Sequence, residues 1–407
     1  MNYTATIKFP SSGHYNFSLL SNNKILWSSI ILVKHKIHNS LDSFFDCKKI
    51  RNSLRCWISN ACLSNEGISI FGYLNTTFNY SLSLSPTKEP CLLRIINSNF
   101  QLDEKQYSTF SDVVAVFADL QSLNVFYHSV IESFFPISQL ILDENILDIS
   151  KVLILPKKTQ TRIDLYSFMN MNVKYLEGRQ CYKKIVLGLP YFNANLLKFK
   201  NLSNPIMNGD YNTDIFNENS RTIFRKTIEK YLITTPEQLK NNNTKYLLFL
   251  NRPKSSRRTI LNYKEVLASI SSHFPNWIIT YTDFTGLTLR HQIKLILQTD
   301  IFLTIHGSAL THLLFLNDNA IVIEIMPYLF SEYVHLYQHL AEITKIKFFE
   351  FKVCKNSSIV KNENLRTELE KNGLLFKYYK YIANIRDQSI IINETEIYQL
   401  INLLSHL

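Results

Sequence analysis

The chain has 407 residues, of which 46% are hydrophobic and 13% aromatic; this is enough for two buried cores and excludes an intrinsically disordered protein. The formal net charge is +11, yet the basic residues are spread without a long Lys/Arg tract or a nucleic-acid-binding motif, so no nucleic-acid partner is expected. The longest apolar run near the start, residues 25–33, is far short of the ~20 residues that span a bilayer, and no signal-peptide pattern is seen.

Along the chain, residues 1–105 alternate short apolar or aromatic runs with Asn/Ser turns and read as strands and irregular structure. Cys47, Cys56, Cys62 and Cys91 fall here, at separations unlike the paired spacings of zinc sites. Two N-terminal disulfides and buried free thiols both fit them. Residues 106–235 turn to an α/β pattern, with strands at 113–119, 151–155 and 184–189 and helices at 126–140 and 221–232. A polar stretch at 193–219 reads as loop, and Pro236 with the Asn run at 241–243 marks a junction between a domain of residues 1–235 and one of residues 236–390. The second domain alternates strands at 246–250, 277–281, 301–305, 320–325 and 347–353 with helices at 263–272, 289–297, 309–315 and 332–343. Such alternation implies a parallel sheet covered by helices, which binds ligands at the carboxyl ends of its strands.

Chemistry is therefore sought in the loops after these strands. The loop after 246–250 places Arg252, Lys254, Arg257 and Arg258 within seven residues. Guanidinium groups offer planar, bidentate donors to phosphate oxygens, although a solvated basic loop is the plain alternative. Strand 301–305 runs into His306-Gly307-Ser308-Ala309, where Gly307 permits close backbone approach and the following helix start offers N–H groups to an anion. No G-x-G-x-x-G or G-x-x-x-x-G-K pattern occurs. Glu324 interrupts the apolar strand 320–325 and is a candidate acceptor for ribose hydroxyls, with a structural pairing as the competing reading. His128 and Glu132 share a helical face expected to look towards an interdomain cleft; either is a candidate general base, and a helix-stabilising hydrogen bond is the plain alternative.

In this order, the pieces resemble glycosyltransferase family 61. The resemblance is carried by Arg258-Thr259-Ile260-Leu261-Asn262 (Arg-x-x-x-Asn), Gln292-Ile293, the loop from His306 to His312, and the strand ending Glu324-Ile325-Met326-Pro327, with an upstream aromatic-His helix ending at Pro136. Two positions depart from the family loop: Ala309 replaces its second glycine and His312 its asparagine. The resemblance implies a GT-B fold, that is, two Rossmann-like α/β domains facing a cleft. The first would be the acceptor side and residues 236–390 the nucleotide-sugar domain, with the final helix, in 391–407, returning to the first domain. It further implies an inverting transfer of a sugar, GlcNAc or xylose, from a UDP-sugar to a hydroxyl of a protein or glycan. No metal or cofactor beyond that co-substrate is implied. Donor binding would fall to Arg252, Arg257, Arg258, His306, Gly307, Ser308, Ala309 and Glu324. The implied compartment is the lumen of the endoplasmic reticulum or Golgi; without a visible leader, the cytoplasm stays open. An inactive sugar-nucleotide-binding protein is the alternative that Ala309 and His312 suggest. A metal-dependent hydrolase using His306 and His312 is a further one, for which their i,i+6 spacing is poor.

Overall fold

A computed structural model describes residues 13–21, 24–33, 44–50, 53–64, 67–70, 78–82, 91–97, 108–118, 125–156, 158, 162–189, 217–232, 244–253, 257–330, 334–360, 362–372 and 384–407. The domain junction expected at 236 and 241–243, most of the loop expected at 193–219, and Lys254 lie outside the described residues. The chain divides into two compact units. One comprises Met1–Ser122, Glu144–Thr159 and Asn170–Tyr191, and the other Leu123–Asp143, Gln160–Met169 and Phe192–Leu407.

Among the described residues, the first unit contains strands β1 (Gly13–Ser21), β2 (Lys24–Val33), β3 (Phe44–Ile50), β4 (Ser53–Ser64), β5 (Gly67–Ile70), β6 (Phe78–Leu82), β7 (Cys91–Asn97), β8 (Val114–Phe117), β9 (Lys151–Leu155), β10 (Met171–Tyr175) and β11 (Gln180–Leu187). β1 and β2 form an antiparallel hairpin. The others make one mixed sheet in the order β10-β9-β8-β11-β4-β5-β7-β6, with β3 also on β4. From β10 to β11 the pairing is parallel, and β4 then joins β11 antiparallel. Ile58, Ala61, Ala115, Ile154, Ile185 and Leu187 form its buried core. β10 was not expected, because Met171-Asn172-Val173-Lys174-Tyr175 alternates as a half-exposed edge strand does and lacks a continuous apolar run. The cysteine pairing also differs from a purely N-terminal one: Cys62 is bonded to Cys181, its direct register partner across β4 and β11. Cys56 is disulfide-bonded as well.

The second unit is built on five parallel strands: β12 (Tyr246–Leu250), β13 (Ile278–Thr282), β14 (Ile301–Ile305), β15 (Ile321–Met326) and β16 (Lys347–Lys352), in the order β13-β12-β14-β15-β16. All lie within a residue or two of the expected bounds, because apolar runs such as Ile301-Phe302-Leu303-Thr304-Ile305 are buried along their whole length. Among the described residues its longer helices are α1 (Phe126–Ser129, Val130–Phe134 and Phe135–Asp143 in succession), α2 (Glu218–Leu232), α3 (Tyr263–His273), α4 (Leu289–Gln298), α5 (Leu336–Thr344), α6 (Glu363–Asn372) and α7 (Glu394–Ser405), with a 3₁₀ helix at Ile163–Met169. The stretch after β14 is a 3₁₀ helix, Ser308–Phe315, where an α-helix was expected. Thr288 caps α4 by accepting from His291 N, and Asn393 with Glu396 forms a capping box on α7.

One expectation about organisation differs from the observed units. The helices α1 and α2 were assigned to the first domain by position, yet they belong to the second unit. Tertiary packing decides this: Phe224 of α2 lies between Phe134 and Phe135 of α1 and Phe315 of the 3₁₀ helix, at 5.5, 4.8 and 5.4 Å between ring centres. Arg221 is buried there and donates to the carbonyls of Leu316 and Thr344 and to Asp318. The final helix α7 is grouped with the second unit. Its buried Leu400 and Leu404 join Val266 and Ile270 of α3 in the core under the five-stranded sheet.

Candidate functional site

The carboxyl ends of β12, β14 and β15 gather the residues singled out from the sequence. Asn251, the first residue after β12, closes its loop by a reciprocal pair of 3.0 Å hydrogen bonds with the backbone of Ile260. That clasp holds both ends of the arginine loop at the sheet. Arg258 adopts a left-handed backbone, φ 61°, which costs a non-glycine residue. A Cβ placed on Gly307 would lie 3.9 Å from an Arg252 Nη1 and 4.0 Å from an Arg258 Nη1. Two guanidinium groups therefore converge on the turn after β14, where only a hydrogen stands. Ser308 and Ala309 follow, both half-buried, at the start of the 3₁₀ helix.

The site has an excess of positive charge. Burial, and then the charges of Arg252 and Arg386, pull Arg258 down to about 10. Burial also lowers Arg252, with Asp387 opposing and Arg386 adding to the effect. The buried Nε of Arg258 has no hydrogen-bond partner among the described residues, the nearby Asp387 Oδ1 being 3.9 Å away. Arg257 takes a different course: its side chain is 62% exposed and reaches Asp387 Oδ2 at 2.8 Å. Of the expected arginine set, Arg252 and Arg258 meet at Gly307, whereas Arg257 is tied at the side through Asp387.

His306, at the end of β14, is buried and places Nδ1 2.5 Å from Glu324 Oε1. Burial first, and then Arg258, Arg386 and Arg252, push its pKa well below the ordinary imidazole range. Burial and Glu350 push Glu324 well above the carboxylate range. The two shifts agree on one state: the pair holds a single proton between Nδ1 and Oε1, stays neutral overall, and leaves Nε2–H as a donor. Glu324 had two readings, an acceptor for ribose hydroxyls or a structural pairing. Its side chain is 1% exposed and paired with His306, because a carboxylate inside a fully buried strand needs a partner within the core.

α1 supplies the remaining candidates. Pro136 has no N–H, and in a regular helix its ring would strike the carbonyl of Glu132. The helix widens just before it, over Val130–Phe134, with Phe135 N bonding to Val130 O five residues back. Glu132 sits in this buried π-helical stretch and holds His128 Nδ1 at 2.7 Å, while His128 itself is 25% exposed. The carboxylate orients the imidazole through Nδ1 and leaves Nε2 as the outward atom. Tyr127, beside His128, makes an edge contact of 6.0 Å with Tyr337 of α5, whose ring lies 5.4 Å from that of His306. Tyr337 is buried, and burial and Glu324 push its hydroxyl pKa upward. The two histidines are thus linked through two tyrosine rings inside one unit.

His312 lies apart from this set. Its ring stacks on Phe126 at 4.2 Å and approaches Phe284 at 5.0 Å, and burial takes it down to about 4. Its Nδ1 is 2.8 Å from the Ala309 carbonyl, so His312 serves packing. Among the described residues no group of three or more His, Cys, Asp or Glu is placed to hold a metal ion. Sequence reasoning missed Tyr337, Arg386 and Asp387. Tyr337 is one aromatic residue in an amphipathic helix, and Arg386-Asp387 follows no strand–helix pattern, so neither carries a local signal.

Residues 126–323 match the model of the family described as Glycosyltransferase 61, which bears out the resemblance read from the motifs. That segment begins at the first residue of α1 and ends one residue before Glu324. The chain is 28% identical over 175 residues to the EGF domain-specific O-linked N-acetylglucosamine transferase of Drosophila melanogaster, covering 42% of this chain and 31% of that protein. It is 29% identical over 154 residues to the protein of the same name from Bos taurus, covering 37% and 27%, and 27% identical over 174 residues to that from Gallus gallus, covering 40% and 30%. The chain spans less than a third of the length of these curated relatives.

Proposed function

From the glycosyltransferase 61 match over residues 126–323, we propose that this protein transfers a sugar from a UDP-sugar to a hydroxyl of a protein or glycan acceptor, within a GT-B organisation. GlcNAc is the preferred sugar in this reading, since the similar proteins are named for its transfer. The observation that carries the proposal is the meeting of Arg252 and Arg258 over Gly307, beside the buried His306. Two partly desolvated guanidinium groups at a close-approach turn on a parallel sheet suit the diphosphate of a nucleotide sugar.

In the proposed reaction His128 Nε2 removes the proton of the acceptor hydroxyl, with Glu132 holding the ring. The acceptor oxygen attacks the anomeric carbon from the face opposite the diphosphate and forms the new glycosidic bond with inversion. The bond from that carbon to the phosphate oxygen breaks, and UDP departs with its electron pair. Arg252, Arg258, the N–H groups at Ser308 and Ala309 and His306 Nε2–H stabilise the charge that develops on the leaving group, the task a divalent ion performs in metal-dependent transferases. A luminal, oxidising compartment is part of the same reading, supported by the Cys62–Cys181 bond. Among the described residues no helix is long and apolar enough to cross a membrane.

A thermal-shift panel with UDP, UDP-GlcNAc, UDP-xylose and UDP-glucose tests the proposal. A ligand of the folded state at 100 times its Kd adds about 2.7 kcal/mol of stability, so UDP and UDP-GlcNAc should raise the melting temperature, and Arg258→Ala should abolish the rise. A panel with no shift for any uridine nucleotide overturns the reading.

A further inference from the structure

We propose that Arg386 and Asp387 are part of the phosphate site: Arg386 as a third guanidinium for the nucleoside diphosphate, and Asp387 as the positioning residue that holds Arg386 beside Arg258 for it. The inference rests on the nucleotide-sugar reading. Both residues lie beyond the family-matched segment, which ends at residue 323. Asp387 is a nearly buried carboxylate, 7% exposed, surrounded by arginines. Its Oδ1 accepts from Arg386 Nε at 2.8 Å and its Oδ2 from Arg386 Nη2 at 3.2 Å. The same Oδ2 accepts from Arg257 Nη1 at 2.8 Å, and Oδ1 lies 3.9 Å from Arg258 Nε.

This arrangement has the form of an anchor. Burial alone would raise the carboxyl of Asp387, but the hydrogen bonds from Arg386 and Arg257 outweigh it and hold the group below its ordinary value. Asp387 is therefore ionised whenever the arginines surround it. One carboxylate cannot neutralise three guanidinium groups, and the remaining positive charge is directed at the turn where Arg252 and Arg258 meet. Arg386 is 40% exposed, and its bonds to Asp387 use Nε and Nη2 but not Nη1. Its partner Asp387 lies 3.9 Å from Arg258 Nε, and the charge of Arg386 adds to the lowering of Arg252, Arg258 and His306. A buried carboxylate that orders flexible arginine side chains lowers the entropy each loses when an anion arrives. For that reason Asp387 assists phosphate binding despite its own negative charge.

Titration calorimetry of the full chain with UDP, and with uridine as the phosphate-free comparison, tests this. Arg386→Gln and Asp387→Asn should each weaken UDP binding about ten-fold or more, as expected on losing a charge-assisted contact, with uridine affinity unchanged within two-fold. Asp387→Glu should recover part of the UDP affinity. A merely structural role would move both ligands together, which overturns the proposal. Wild-type affinity for UDP in both variants overturns it too, and tighter binding by Asp387→Asn would make Asp387 a competitor of the phosphate. If Asp387→Asn melts far below wild type, Arg386→Gln decides, since it alters a part-exposed side chain. Failure of the wild-type chain to bind UDP overturns the nucleotide reading itself and is seen before any variant is made.

Discussion

Substituting Gly307 by alanine separates binding from folding. The backbone there, φ 166°, is extended and open to any residue. The new Cβ would meet Arg252 Nη1 at 3.9 Å, Arg258 Nη1 at 4.0 Å and the Ile305 carbonyl at 4.0 Å. These are ordinary van der Waals contacts, so the ligand-free variant should stay within about 0.5 kcal/mol of wild type. A phosphate oxygen that accepts from both arginines, at ~2.8 Å from each, needs the space this methyl fills. Losing one charge-assisted hydrogen bond costs roughly 1.5–3 kcal/mol, which is about a 10- to 150-fold rise in Kd. Calorimetric titration of wild type and Gly307→Ala with UDP measures this, with melting curves of both ligand-free proteins as the control. Affinity within two-fold of wild type would refute the placement of phosphate at this turn. A large loss of ligand-free stability would refute the steric argument.

Other consequences follow from single side chains. Replacing His128 by Gln should lower kcat by about 10²–10⁴-fold while UDP affinity holds, whereas Glu132→Gln should cost less because the imidazole remains; transfer kinetics alongside UDP titration distinguish the two. Glu324 has a folded-state pKa above its unfolded value, so between those values the folded form keeps a proton that the unfolded chain releases, and stability falls as pH rises. His306 has a depressed folded pKa, so its contribution falls as pH drops below 6.5, a slope of the opposite sign. The melting temperature of wild type relative to Glu324→Gln should therefore decline as pH rises above 4.5, and a constant difference would contradict the raised Glu324 pKa. Arg221→Ala leaves the buried carbonyls of Leu316 and Thr344 without their donor and should destabilise the second unit by about 3–5 kcal/mol in urea denaturation.

Much of the second unit was legible in the sequence. Its central strands β12, β14 and β15 are short apolar runs bounded by polar turns, a pattern that burial on both faces imposes locally, while the outer β13 and β16 keep enough apolar residues to be located. The loop motifs around Arg258 and His306 could be located for the same reason, because they follow strands whose ends were already known. The role of Glu324 was not legible. A carboxylate in an apolar run announces a partner but not which one, and His306 becomes that partner only through the parallel pairing of β14 with β15.

By itself, the sequence determined the strand–helix alternation, the places where loops could carry charge to the sheet edge, and the family resemblance, since each depends on neighbours within a few residues. The tertiary structure decided which unit owns α1 and α2, that Leu400 and Leu404 of α7 pack with Val266 and Ile270 of α3, and that Cys62 bonds to Cys181. It alone brought Asp387 to Arg257, 130 residues away in sequence, and turned Arg258 toward Gly307. Contacts at such separations arise from packing and charge pairing in three dimensions, which no local periodicity encodes.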